Sequence, residues 1–305
     1  MNAFLTKKNL ILLALILLGV FAVVQLDVDD RLYDWYLTKT TPETVRKDAI
    51  WLPDYQVATE AKELAGINNN ASGVTWDPLT KTLFMVLNGP NQIIELSLDG
   101  DVIRRIPLEG FEDVEAIVWV GGHHFVIADE RHQSLIKVTV TPETQVIVRE
   151  DCPSFTLDME AGDNKGFEGL AWDPKDNGIF VVRERDPMRL YKIHGLVGDK
   201  QPATMRVEKS EALSEGAKAF SDDLSGLHFD PKTRHLLVLS DESQLLKEVD
   251  EQGHPVSFLE LSHGWHGLNE DVPQAEGITM DDAGNLYLIS EPNLFYKFTR
   301  KAPGQ

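Results

Sequence analysis

Three glutamates, Glu115, Glu168 and Glu276, stand at the same place in a recurring segment, each followed by Ala or Gly and then by alternating apolar residues. A second set, Glu130, Glu184, Glu242 and Glu291, recurs a little further along each repeat, with Asp129 and Asp241 beside it and Asp113 and Asp223 ahead of two openings. Carboxylates brought to one place repel each other unless a cation or protons neutralise them. Oxygen donors without thiolates suit Ca2+ or Mg2+, and a roomy, irregular cage suits Ca2+. Cys152 is the only cysteine, so a Cys-based zinc cluster and an internal disulfide are both excluded. The seven glutamates are therefore candidate ligands of one divalent cation, with Glu115, Glu168 and Glu276 foremost. The alternative is structural, each glutamate accepting backbone N–H groups between repeats. His263 and His266 could bind a transition metal, although two loop histidines are more often simply exposed. Arg131, Arg183 and Arg185 lie among the acids and suit their neutralisation. No G-x-S-x-G, P-loop or dinucleotide fingerprint is present.

The elements that must position these residues are strands. Five segments share one template, opening at Ser72, Glu115, Glu168, Ser225 and Glu276, about fifty residues apart. Each runs small, apolar, variable, large apolar, and that alternation is the period of a strand. Asp-Pro or Asp-Asp closes four of them, at Asp77, Asp173, Asp230 and Asp281, and marks a turn. A second and a third strand follow each, for example 82–87 and 92–98 in the first repeat, and some repeats show a fourth, such as 102–107. Four short antiparallel strands at this period describe a propeller blade. The expected fold is an all-β, five-bladed β-propeller. A sixth blade would have to hide in residues 194–221. The fifth repeat runs out of chain after its third strand, so residues 55–64 are expected to pair with 294–298 and close the ring. In such a ring the first strand lines the channel, which puts both glutamate sets at one mouth. The long connections 151–166, 209–222 and 262–274 fall on the same rim.

Charge and the N-terminus complete the reading. The chain has 305 residues, with 29 basic against 49 acidic and a net charge of −20. Such a surface repels phosphates, so nucleic acid is not an expected partner. Residues 10–24 are an unbroken apolar run preceded by Lys7 and Lys8 and followed by acids. That charge order predicts a transmembrane helix with its N-terminus in the cytoplasm, the alternative being a cleaved signal peptide, for which no A-x-A-like site is present. The predicted organisation is an inner-membrane anchor over 1–26 (membrane contact over 10–26), a tether over 27–54 and the propeller over 55–305. The corresponding location is the cell inner membrane, single-pass, with the C-terminal domain in the periplasm.

The repeated Glu-Gly openings, the Trp-Asp-Pro turns and the single N-terminal apolar segment resemble the bacterial YjiK, or SdiA-regulated, family over roughly residues 52–298. More distantly the repeats look like NHL repeats. The resemblance implies a propeller and a bound calcium ion, and it carries no established activity. Two functions follow as expectations: a Ca2+-binding module for a small molecule or an envelope protein, or a metal-dependent hydrolase acting on an ester, lactone or phosphoester at the channel mouth.

Overall fold

The computed structural model describes residues 7–25, 28–156, 166–185, 187–198 and 204–301. It divides into two compact units, residues 1–45 and 46–305. The first contains the helices Lys7–Gln25 and Val28–Thr40.

The second unit is a five-bladed propeller. Its first strands are Ala71–Asp77, Val114–Trp119, Phe167–Asp173, Gly226–Phe229 and Ala275–Met280, each antiparallel to the strand that follows it. Four blades hold four strands, and the first gains a fifth where Ile147–Val148 runs parallel to Val102–Glu109. The middle strands read as near-continuous apolar runs because both of their faces are covered by neighbouring blades. Leu236–Ser240 is buried throughout. The core accordingly lies between blades, where Phe84 meets Phe125 at 4.8 Å and Phe180 meets Phe229 at 5.3 Å.

The repeated aspartate that closes four first strands forms the same turn each time. Its carboxylate accepts the backbone N–H two residues on: Asp77 from Leu79 at 2.8 Å, Asp173 from Lys175 at 3.0 Å, Asp230 from Lys232 at 3.2 Å and Asp281 from Ala283 at 2.9 Å.

Tyr55–Glu63 pairs antiparallel with Leu294–Arg300, from Tyr55 opposite Arg300 to Glu63 opposite Leu294. The fifth blade thus takes its outer strand from the start of the propeller, and the ring has no open edge there. Residues just before that strand, read from the sequence as tether, are packed into the propeller. Ile50 and Leu52 are fully buried. The Ile50 and Trp51 N–H groups donate to the buried Glu248 carboxylate at 2.7 and 3.0 Å. The 194–221 region supplies the outer strand Arg206–Lys209 and the helix Glu211–Lys218, not a sixth blade. Lys247 pins the end of that helix by donating to the Ala217 carbonyl at 2.5 Å and to Ser221 Oγ at 2.7 Å.

The N-terminal expectation is corrected. Among the described residues no helix is long and apolar enough to cross a membrane. An apolar run over residues 10–24 rises roughly 22 Å as a helix, short of the roughly 30 Å hydrocarbon core. The transmembrane anchor, and with it the single-pass inner-membrane placement with a periplasmic domain, does not stand.

Candidate metal centre

Small residues allow the first strands to crowd around the channel. A Cβ on Gly73 would lie 2.7 Å from Ala116 Cα, and one on Gly277 would lie 2.8 Å from Val74 N. The openings themselves are irregular. The pairing register slips between Ala71 and Val74, Val114 and Ala116, Phe167 and Gly169, and Ala275 and Gly277. Glu115, Glu168 and Glu276 are each the extra residue of a bulge. A bulge interrupts the ladder and re-aims its side chain, and here it turns three glutamates from three blades toward one cleft.

That cleft has a volume of about 290 Å3 and is lined by Glu115, Glu168, Glu276, Glu184, Glu291, Asp223 and Asp241, with Ser225, Gln274 and Arg185. Glu115 is held most firmly. Ser72 Oγ donates to its Oε2 at 2.9 Å, and Asn88 Nδ2 donates to its Oε1 at 2.6 Å. The same Asn88 amide reaches Asp113 Oδ1 at 2.7 Å. Glu130 accepts the Gly166 N–H at 2.7 Å. Single oxygens of Asp113, Glu115 and Glu130 lie within 4.8 Å of one another, a spacing one cation can span. Asp241 accepts the Ala275 N–H at 2.9 Å, and Asp223 accepts Ser240 Oγ at 2.5 Å. No hydrogen bond to a described residue holds the Glu168 carboxylate, and Ser225 Oγ is buried without a partner.

The electrostatics follow from burial and mutual repulsion. Burial, and then the charges of Glu115, Glu130, Glu276 and Glu184, push the Glu168 carboxyl well above the carboxylate range. Burial with Glu115, Glu291 and Asp241 nearby pushes Glu276 up to about 8. Glu130 is raised to about 7 by burial, against the bond from Gly166. Glu115, Glu291 and Asp241 are raised for the same first reason. Near neutral pH, protons or a cation are needed to offset this charge.

The structure therefore gathers six of the seven predicted glutamates around one mouth: Glu115, Glu168, Glu276, Glu184 and Glu291 in the cleft wall, and Glu130 against Glu115. Glu242 is not among them. It is exposed on the rim and forms an ion pair with Arg185 Nη1 at 2.6 Å, while Glu184 takes the other side of the same guanidinium. Asp129, expected beside the mouth, is fully buried and faces His132 at 3.0 Å and Arg149 at 3.6 Å. His263 and His266 turn their Nδ1 atoms to the carbonyls of Asn269 and Tyr55. Asn88 and Gln274 were missed by residue type, since neither is ionisable. The pairing finds Asn88: its N–H donates to the Asn70 carbonyl as that of Glu130 does to Asp113 and that of Glu291 to Gln274, so it holds the place in the first blade that those glutamates hold in theirs.

Fold and site together define a five-bladed β-propeller with a carboxylate-lined channel mouth. The chain belongs to the SdiA-regulated family, whose sequence profile matches residues 47–299. Solved structures similar to it include a gluconolactonase from Xanthomonas campestris, at 11% identity and a TM-score of 0.49, covering 86% of this chain and 94% of that one. A calcium-binding protein, regucalcin, from Agrobacterium tumefaciens matches at 12% identity and a TM-score of 0.48, covering 82% of this chain and 96% of that one. Virginiamycin B lyase from Staphylococcus aureus matches at 13% identity and a TM-score of 0.42, covering 82% of this chain and 75% of that one.

Proposed function

We propose that the protein is a Ca2+-binding propeller that uses its charged mouth to capture a small molecule or a partner protein. One observation carries this reading: three bulged glutamates from three blades face one cleft whose only basic lining residue, among the described residues, is Arg185. The donor set fits a hard cation. It consists of carboxylate, hydroxyl and amide oxygens, with the orphaned Ser225 hydroxyl among them. Glu115, Glu168 and Glu276 are the principal ligands, with Glu130, Glu184 and Glu291 in support. Glu242 is outside the proposed set, because it does not line the cleft, where the fourth blade presents Asp241 instead.

A second reading, a metal-dependent hydrolase, is favoured by one observation. Glu130, raised to about 7, has the proton affinity a general base needs near neutral pH.

Calorimetry of Ca2+ binding to the metal-stripped protein tests the first reading. One site, with Ca2+ favoured over Mg2+, is expected. No heat at millimolar Ca2+ would leave the repeated glutamates structural. A panel of esters, lactones and phosphoesters, with and without EDTA, tests the second. EDTA-sensitive turnover that Glu130→Gln abolishes would replace the binding module with the hydrolase.

A further inference from the structure

The far ends of the same first strands enclose a second cavity, of about 290 Å3, whose wall is chemically the opposite of the mouth. Trp76, Trp119 and Trp172 line it together with Phe229 and Met280, the large apolar residues that end the template in the five blades. Trp119 and Trp172 meet edge to face at 5.4 Å. The space would hold several waters, yet its apolar walls give few of them the two to four polar partners that a buried water needs. Its size is at the small end for a ligand pocket, roughly 300–1,000 Å3.

Among the polar side chains that the strands put on this wall, one is left unused by the fold. The template position before the large apolar residue is Thr75, Val118, Ala171, His228 and Thr279 in turn. The two threonines are used structurally: Thr75 Oγ1 accepts the Trp119 N–H and Thr279 Oγ1 accepts the Trp76 N–H, both at 3.0 Å. His228 lines the cavity, is half-buried, and makes no hydrogen bond to any described residue. Burial pushes its imidazole down to about 4 against the pull of Asp230, so it is neutral, with one nitrogen to donate and one to accept. The indole N–H groups of Trp76 and Trp172, on the same wall, are likewise buried without an acceptor.

Two of the acids at the rim hold the closing turns. Asp230 accepts from Lys232 N, Thr233 N and Thr233 Oγ1, and Asp281 accepts from Ala283 N, Asn285 and the Tyr287 hydroxyl. Asp282 and Lys232 stand beside them, Lys232 Nζ donating to the Asp282 carbonyl at 3.0 Å, and all four charged residues lie in the turns past the strand ends Phe229 and Met280, so the wall that the strands themselves present is uncharged. We infer that this cavity is a second binding site, built for an uncharged aromatic or alicyclic small molecule with one polar group that hydrogen-bonds the His228 imidazole. The site is independent of the cation, because it lies at the opposite end of the first strands from the glutamates.

Photolabelling of the full chain with 3-trifluoromethyl-3-phenyldiazirine, an uncharged aromatic, tests this. Saturable label is expected on the strand ends that carry Trp76, Trp119, Trp172 and Met280, unchanged by Ca2+ or EDTA. It should be displaced by 2-phenylethanol and not by trimethylphenylammonium. His228→Phe should weaken that displacement by about tenfold, the loss of one hydrogen bond, and His228→Gln should restore most of it. If neither variant folds, the map on the unaltered protein decides. Label that fails to saturate, or that maps instead to the exposed apolar side chains of the helix Lys7–Gln25, would overturn the inference. So would equal displacement by the cation.

Discussion

Glu168 shows how one residue can weaken a fold while serving a site. Its carboxylate is buried among Glu115, Glu130, Glu276 and Glu184 with no hydrogen bond from a described residue to offset their repulsion. Glu168→Gln removes a charge without changing shape. The metal-free variant should melt several degrees higher than the parent at pH 8, and calorimetry should find its Ca2+ affinity at least tenfold lower. Glu211→Gln, at an exposed position of the helix Glu211–Lys218 and outside the cleft, should change neither. The pH dependence has a definite sign. Glu276 and Glu130, raised to about 8 and about 7 in the folded state, bind protons there that the unfolded chain has released. Their contribution to the stability of the metal-free protein is complete below about pH 4.5 and is lost as pH rises through 7 and 8. Thermal melts between pH 5 and 9 should fall accordingly, and saturating Ca2+ should flatten that fall by replacing the protons. Ca2+ binding at pH 7 should release protons, read as a dependence of the calorimetric heat on the ionisation enthalpy of the buffer. His228 works in the other direction. Its folded value of about 4 lies below the unfolded 6.5, so its contribution is present above pH 6.5 and lost as pH falls through 4.

At the scale of the element, the first strand is a ruler with a different chemistry at each end. Its bulged opening aims a glutamate, its glycine or alanine permits close approach, and its closing aspartate makes the turn. Gly73→Val tests the approach, because the added carbons would strike the Ala116 and Glu115 backbone, which cannot move aside as a side chain could. Urea unfolding should show a loss of about 1–3 kcal/mol, and the same displacement of Glu115 should weaken Ca2+ binding. Much of this element was legible in the residues. Alternation showed the strands, Asp-Pro showed the turns, and in-register glutamates showed which end carries charge. The bulges were not legible, because an extra residue in a ladder is defined by the partner strand's pairing and leaves no mark in the composition. Arg185 was visible as a neighbour of acids, but its choice of Glu184 and Glu242 depends on where two blades place their loops.

For the whole molecule, closure is the decisive step. Tyr55–Glu63 holds the last blade, and the residues before it are locked by Glu248. A chain starting at Ala65 should lose cooperative unfolding, whereas one starting at Arg46, where the propeller unit begins, should melt like the full protein. Equal melting of both would show that the outer strand is dispensable. The sequence by itself determined the number of blades, their strand order and the source of the closing strand. Those follow from period, alternation and a fifth repeat that lacks its own outer strand, all of them local properties of the chain. It also suggested a membrane anchor from an apolar run that, as a helix, is too short to cross. Only the tertiary structure decided which carboxylates share a cleft, that Glu242 stays outside it on the rim against Arg185, and that three tryptophans and a histidine without a hydrogen bond to any described residue face one cavity at the other end. The physical reason is that these properties depend on distances between blades far apart in the chain. Repulsion, burial and hydrogen bonding act over a few ångströms, and the ring must close before those distances exist.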